Sequence, residues 1–284
     1  MSEFQQGKDE WSFKNNLVSS VSIYAWHSQR AQDLDSLGNG GCPAGHVKLW
    51  DGYSLLHTED EGRAHVQDLG QAGSCLRTFD PMPFMFCGAD EVCSFAHRTS
   101  QSYWLSSYIE TGQPEFTADY SGVPKPMMPL KGAEVSNYIS RCAVCIARGP
   151  VMAFHSQSDT QPECDTNQGW KELWTGYSFV MHSIGSMGGG QPLASPGSCL
   201  PNYRPHPYME CNADGTCHIY SDKMSYWLLA NPPYPVQDGA QHRPGSVIKP
   251  GNILNHVSRC VVCSFEPQPI KPATTEEGRF VKRH

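Results

Sequence analysis

Apolar residues along this chain come in short bursts, and none of the bursts keeps a helical period. Tyr53-Ser-Leu-Leu-His57 follows a glycine turn and mixes aromatic with branched side chains, as does Tyr177-Ser-Phe-Val-Met-His182. Ser102-Tyr-Trp-Leu105 and Tyr138-Ile-Ser-Arg-Cys-Ala-Val-Cys145 have the same character. Bursts of this kind, set between Gly- and Pro-rich segments, predict strands. Pro83-Phe-Met-Phe-Cys87 and Pro207-Tyr-Met-Glu-Cys211 open on proline, which a strand tolerates at its start but not at its centre. The expected fold class is all-β and rich in loops.

The bursts repeat. Ser-Arg-Cys142-Ala-Val-Cys145 returns 118 residues later as Ser-Arg-Cys260-Val-Val-Cys263. Ala25-Trp-His-Ser-Gln29 recurs as Ala153-Phe-His-Ser-Gln157, and Leu49-Trp-Asp-Gly-Tyr-Ser54 as Leu173-Trp-Thr-Gly-Tyr-Ser178. Gly73-Ser-Cys-Leu76 recurs as Gly197-Ser-Cys-Leu200, and Ser102-Tyr-Trp-Leu105 as Ser225-Tyr-Trp-Leu228. The offset drifts from 128 to 118, and the length differences fall in turn-rich segments, where surface loops absorb insertions. Two copies of one fold are therefore expected. We read residues 1–18 as a polar tail, 19–146 as the first subdomain, 147–264 as the second, and 265–284 as a disordered tail.

The 284 residues suffice for two domains that each bury a core. Twelve cysteines nevertheless point to an oxidising compartment. They fall at steps of 33, 12, 6, 49 and 3 in the first copy and 35, 12, 6, 43 and 3 in the second. Net charge is −7, which argues against a nucleic-acid partner. No apolar run is long enough for a membrane span. Residues 1–8 lack the apolar core of a secretory signal, so Met1 is expected to be an expression start or a fragment boundary. Residues 1–18 hold no collagen-type Gly-x-y repeat, and no N-glycosylation sequon occurs.

The Cys-x-x-Cys pairs admit several chemistries. In an extended Cys142-Ala-Val-Cys145 the two sulfurs point to opposite faces, so each must seek a distant partner. Cys87 and Cys93 flank a natural tight loop. A local Cys87–Cys93 bridge plus two long bridges fits best, each long one stabilising by roughly 3–5 kcal/mol in the loop-entropy model. A four-thiolate zinc site would need pairs 118 residues apart and would leave eight cysteines unexplained. A redox role lacks its βαβ setting.

Catalysis finds little support. His27 and His155 lie in matched His-Ser-Gln triplets, and His57 and His182 end the matched Gly-Tyr-Ser strands. Duplication favours hydrogen bonding inside each copy. The chain has no nucleophile elbow, no His-Glu-x-x-His and no phosphate-binding glycine loop. No enzyme is expected.

Together with Ala64-His-Val-Gln-Asp-Leu-Gly70, these motifs in this order, twice over, resemble the C-terminal non-collagenous domain of type IV collagen across roughly residues 18–264. The resemblance implies two tandem, homologous, disulfide-rich β subdomains that exchange a β-hairpin between neighbours. It implies the pairs Cys42–Cys145, Cys75–Cys142 and Cys87–Cys93, then Cys164–Cys263, Cys199–Cys260 and Cys211–Cys217. It also implies a secreted structural domain that selects collagen IV chains, trimerises with itself or sister chains, and docks trimers as hexamers in the basement-membrane network. The alternative is a soluble matrix-derived module that binds cell-surface receptors.

The resemblance also implies two chemical features. Family hexamers are joined by a sulfilimine bond, and the matching positions here are Met127 and Lys249. An oxidant such as hypobromous acid makes the thioether electrophilic, and the amine attacks it. Family trimers bind chloride in a loop reading Ala-Ser-Arg-Asn-Asp. Here that loop is Ala96-His-Arg98-Thr-Ser100, with the acidic position replaced by Ser100. A nest of backbone N–H groups still offers an anion site, so weaker or altered chloride dependence is expected. No other cofactor is implied.

Overall fold

The strand that closes each repeat forms the spine of that repeat. In a computed structural model, which describes residues 21–30, 34, 39–60, 63–107, 130–184, 187–219, 224–230, 248 and 252–266, the regular elements are strands and short 3-10 helices. Those of the first repeat are β1 (Ser22–His27), β2 (Val47–Asp60), β3 (Arg63–Val66), β4 (Cys75–Leu76), β5 (Met85–Cys87), β6 (Cys93–Phe95), β7 (Gln101–Leu105), β8 (Leu130–Lys131) and β9 (Arg141–Ala147). The second repeat supplies β10 (Val151–His155), β11 (Trp170–Ile184), β12 (Met187–Gly190), β13 (Cys199–Leu200), β14 (Tyr208–Asn212), β15 (Thr216–His218), β16 (Met224–Trp227) and β17 (Arg259–Phe265).

Strand β9 lies between β1 and β2, and β17 between β10 and β11, all antiparallel. Burial on both faces explains their near-continuous apolar sequences, Cys-Ala-Val-Cys and Cys-Val-Val-Cys. The long strands β2 and β11 each carry two register shifts at matched places, Lys48/Trp50 with Leu55/His57 and Glu172/Trp174 with Phe179/Met181. Bulges of this kind bend a strand, and here they let β2 pair β9 at one end and β7 at the other.

The glycine of Leu-Trp-x-Gly-Tyr-Ser has a steric reason. A Cβ on Gly52 would stand 2.0 Å from the Leu76 carbonyl oxygen, and one on Gly176 2.1 Å from that of Leu200. The tryptophan before it donates its indole N–H to the same short strand, Trp50 to Cys75 O and Trp174 to Cys199 O.

One strand reading is corrected. Tyr138 does not begin the closing strand. Gly132–Tyr138 is a 3-10 helix, Ile139 bridges Ser106, and β9 starts at Arg141. The helix follows from Gly132, at φ 71°, and from Val135 and Ile139, which plug the core beneath Trp104. The second repeat does the same with Ile253–His256 before β17. At its far end β17 reaches Phe265, which packs on Trp170.

Candidate assembly surface

The two repeats share strands. Strand β14 lies antiparallel on β7, with Tyr208 opposite Leu105 and Asn212 opposite Gln101, and β15 pairs with β8. The sheet of the first repeat thus runs β1-β9-β2-β7-β14-β15-β8, and its last hairpin comes from the second repeat. Two mixed cores follow. Leu55, Trp104, Val135 and Ile139 close over Met209, Cys211, Cys217 and Ile219. Leu56, Leu69, Tyr103 and Leu105 pack with Phe179, Leu200 and Tyr208. Each large apolar side chain so buried stabilises by roughly 1.5–3 kcal/mol.

The first repeat's own hairpin behaves differently. Strands β5 and β6 pair only with each other among the described residues. Met85 is 63% exposed and Phe95 88%, whereas their counterparts Met209 and Ile219 are 0% and 3% exposed. Strand β16, the counterpart of β7, pairs with β11 alone among the described residues. Its Tyr226 is 43% exposed, while Tyr103 is wholly buried. An unpaired hairpin with apolar side chains and an unpaired edge are both surfaces that bind other strands.

Three disulfides tie each repeat together behind these surfaces. Cys42–Cys145, Cys75–Cys142 and Cys87–Cys93 tie the first, and Cys164–Cys263, Cys199–Cys260 and Cys211–Cys217 the second. Cys142 and Cys145 enter separate cores on opposite faces of β9. All twelve cysteines are bridged, which leaves no thiolate for zinc.

The matched histidines serve the fold. The neutral His27 ring donates from Nε2 to the Leu69 carbonyl at 2.5 Å and meets Ser54 Oγ with Nδ1 at 2.6 Å. Burial lowers its pKa to about 4. His155 repeats the pattern with Leu193 O at 2.8 Å and Ser178 Oγ at 2.7 Å, and burial lowers its pKa too. His57 is buried against Tyr103, and burial lowers its pKa to about 4. The side chain of His182 lies outside the described residues.

A family model described as the C-terminal tandem repeated domain in type 4 procollagen matches residues 22–147 and again 150–265. This chain belongs to that family. Among similar proteins, the human collagen alpha-5(IV) chain is 47% identical over 223 residues, covering 78% of this chain and 12% of the relative. The mouse collagen alpha-4(IV) chain is 43% identical over 240 residues, 84% of this chain and 13% of the relative. The fruit-fly collagen alpha-1(IV) chain is 43% identical over 228 residues, 78% and 12%. The chain therefore spans about an eighth of the length of these relatives. No helix among the described residues is long and apolar enough to cross a membrane.

Within this type 4 procollagen domain, Met127 and Lys249 lie outside the described residues. Arg98 and Ser100 lie in one turn just after Ala96, but the turn closes on the chain's own carboxylate. Ser100 Oγ donates to Asp60 Oδ1 at 2.6 Å, and His97 Nδ1 stands 3.1 Å from Asp60 Oδ2. Arg98 is exposed. Residues of the junction itself escape a reading of motifs for chemistry. The His-Ser-Gln triplet draws attention to its histidine, yet its Gln29 is the residue that reaches the other repeat. Ser195, joined to Asp68 at 2.6 Å across the junction, belongs to no motif at all.

Proposed function

We propose that this chain is a secreted structural module of the extracellular matrix whose copies join by hairpin exchange. The observation that carries it is the unequal use of two like hairpins. The second repeat's hairpin completes the first repeat's sheet, while the first repeat's hairpin and the second repeat's β16 edge meet no further strand among the described residues. Seating β5–β6 of one copy on β16 of the next repeats the junction already built inside the chain. The partners are further copies or sister collagen IV chains, and a trimer that docks end to end as a hexamer is the assembly we expect in basement membrane.

Sedimentation equilibrium of the chain, with and without chloride, tests this. Trimers or hexamers support it, and a monomer at every accessible concentration overturns it. We expect chloride to matter little, since Asp60 already supplies a negative charge at the turn. Assembly strictly dependent on chloride would refute that.

The covalent step assigned to the assembled form joins Met127 to Lys249. Hypobromous acid takes two electrons from the thioether and leaves as bromide and water, the amine nitrogen bonds the sulfur, and the nitrogen loses two protons. Peptide mapping of oxidant-treated hexamer should give a linked species two hydrogens lighter than its parts, and its absence would exclude the link.

A further inference from the structure

Side-chain hydrogen bonds clasp the two repeats within the chain. Gln29 reaches the backbone of Asn202 with both ends of its amide: Nε2 donates to Asn202 O at 3.0 Å, and Asn202 N donates to Oε1 at 2.6 Å. Gln191 does likewise, accepting from Leu69 N at 2.8 Å and donating to Gln67 O at 3.1 Å. Ser195 donates to Asp68, Gln101 to Glu210 at 2.8 Å, and Arg204 to the Ser107 carbonyl.

The repeat register says what each contact becomes when a second repeat meets the first repeat of another copy. Asp68 and Ser195 are replaced by Pro192 and Gln71, so that bond is lost. Arg204 and Ser107 become Asp80 and Ala230, a carboxylate facing a carbonyl. Gln101 and Glu210 become Met224 and Phe86, an apolar pair. The two amide clasps survive. Gln157 stands where Gln29 does, Thr78 where Asn202 does, and Gln67 where Gln191 does.

Gln157 is already set for the task. Its φ is 51° against 52° at Gln29, a left-handed conformation that side chains other than glycine rarely adopt. The pose is fixed in the same way at both places, since Gln29 N donates to Ser140 Oγ and Gln157 N to Ser258 Oγ, each at 3.0 Å. Gln29 is buried and Gln157 exposed, and the Gln157 amide has no hydrogen-bond partner among the described residues. Strain held in place without a local use marks a functional position. Thr78 is exposed too, on an open depression of about 540 Å³ that it lines with Arg77, Phe79 and Pro81.

Resting on the assembly reading above, we propose that Gln157 of one copy clasps the backbone N–H and C=O of Thr78 in the next. With Gln67 on the backbone of Leu193, this clasp carries the polar specificity of the junction between chains. The apolar surfaces supply the burial, and the amides fix the register of one repeat on the next.

Gln157→Ala and Gln157→Gly test this by sedimentation equilibrium, beside thermal unfolding of the dilute chain. Loss of two backbone hydrogen bonds should raise the dissociation constant of assembly by about tenfold or more. The glycine variant also relieves the left-handed strain, so its dilute monomer should unfold no earlier than the parent chain. Gln29→Ala, by contrast, should lower the unfolding midpoint of the dilute monomer, because its clasp is internal. If the parent chain assembles and both Gln157 variants assemble equally well, the clasp is overturned and the assembly reading stands. A parent chain that never assembles overturns both.

Discussion

Met209 and Met85 hold the same position in two like hairpins and should respond oppositely to truncation. Met209 lies wholly buried among Leu55, Trp104, Val135 and Ile139 of the other repeat. Met209→Ala removes its packing and leaves a cavity, at a cost of about 2–5 kcal/mol. For a chain of this size that lowers Tm by roughly 5–15 °C. Met85 is mostly exposed in the single chain, so Met85→Ala should shift the stability of the dilute monomer by less than about 0.5 kcal/mol. In the assembly its counterpart burial is at stake, and the dissociation constant should rise by at least about 30-fold. Urea unfolding at concentrations low enough to hold the monomer, with disulfides intact, measures the first effect, and sedimentation equilibrium the second. If Met85→Ala destabilises the dilute monomer as much as Met209→Ala, the first hairpin is buried within its own chain and the exchange reasoning fails. If Met209→Ala costs less than about 1 kcal/mol, the inserted hairpin is not part of the fold in solution.

Stability should fall in mild acid. His27 has its folded pKa lowered to about 4, while the unfolded ring takes a proton near 6.5, so the stabilisation present above pH 6.5 is lost as pH falls toward 4. The full loss is about 3 kcal/mol, and His27→Gln should flatten that part of the profile in urea titrations at stepped pH. Gly176→Ala drives a Cβ into the Leu200 carbonyl and should cost more than about 3 kcal/mol, whereas Gly73→Ala meets only the flexible end of Gln67 at 3.4 Å and should be nearly neutral by the same assay. Replacing the Cys42–Cys145 pair by alanine opens a span of 103 residues and should cost about 4–5 kcal/mol, against about 2 kcal/mol for Cys87–Cys93 with its span of 6. Equal losses would contradict the loop-entropy account.

The strands, the duplication and the spine were legible because they are local. Alternating and fully apolar runs announce a strand, and a motif repeated with its glycine announces a close backbone approach. The ends of the closing strands were less legible. Tyr138 looks like strand, but the left-handed turn at Gly132 and the plug formed by Val135 and Ile139 favour a helical turn there. Which repeat receives which hairpin was hidden more deeply. Pro83-Phe-Met-Phe-Cys87 and Pro207-Tyr-Met-Glu-Cys211 present nearly the same local pattern. The difference lies in which edge each can reach, a non-local fact. One trace of it is Glu210, a nearly buried carboxylate whose Gln101 partner sits in the other repeat. Phe86 at the matching place has no need of such a partner.

The duplication explains why an unpaired hairpin and an unpaired edge persist in a folded chain. Each repeat carries one hairpin to give and one edge to receive. Any linear run of repeats therefore leaves one of each unused, at opposite ends of the series. Such a head-to-tail junction closes into a ring when its rotation divides the circle and otherwise grows as a filament. In the proposed trimer half of the junctions are already formed within chains, where the tethered second repeat sits at a high effective concentration. The remaining junctions form between chains and carry fewer polar clasps, because Asp68, Ser195 and Arg204 have no equivalents there. The junction inside the chain is thus the stronger one, and folding precedes assembly. Seating a neighbour in register then falls to the few groups that both kinds of junction share, chiefly the strained glutamine of the His-Ser-Gln triplet.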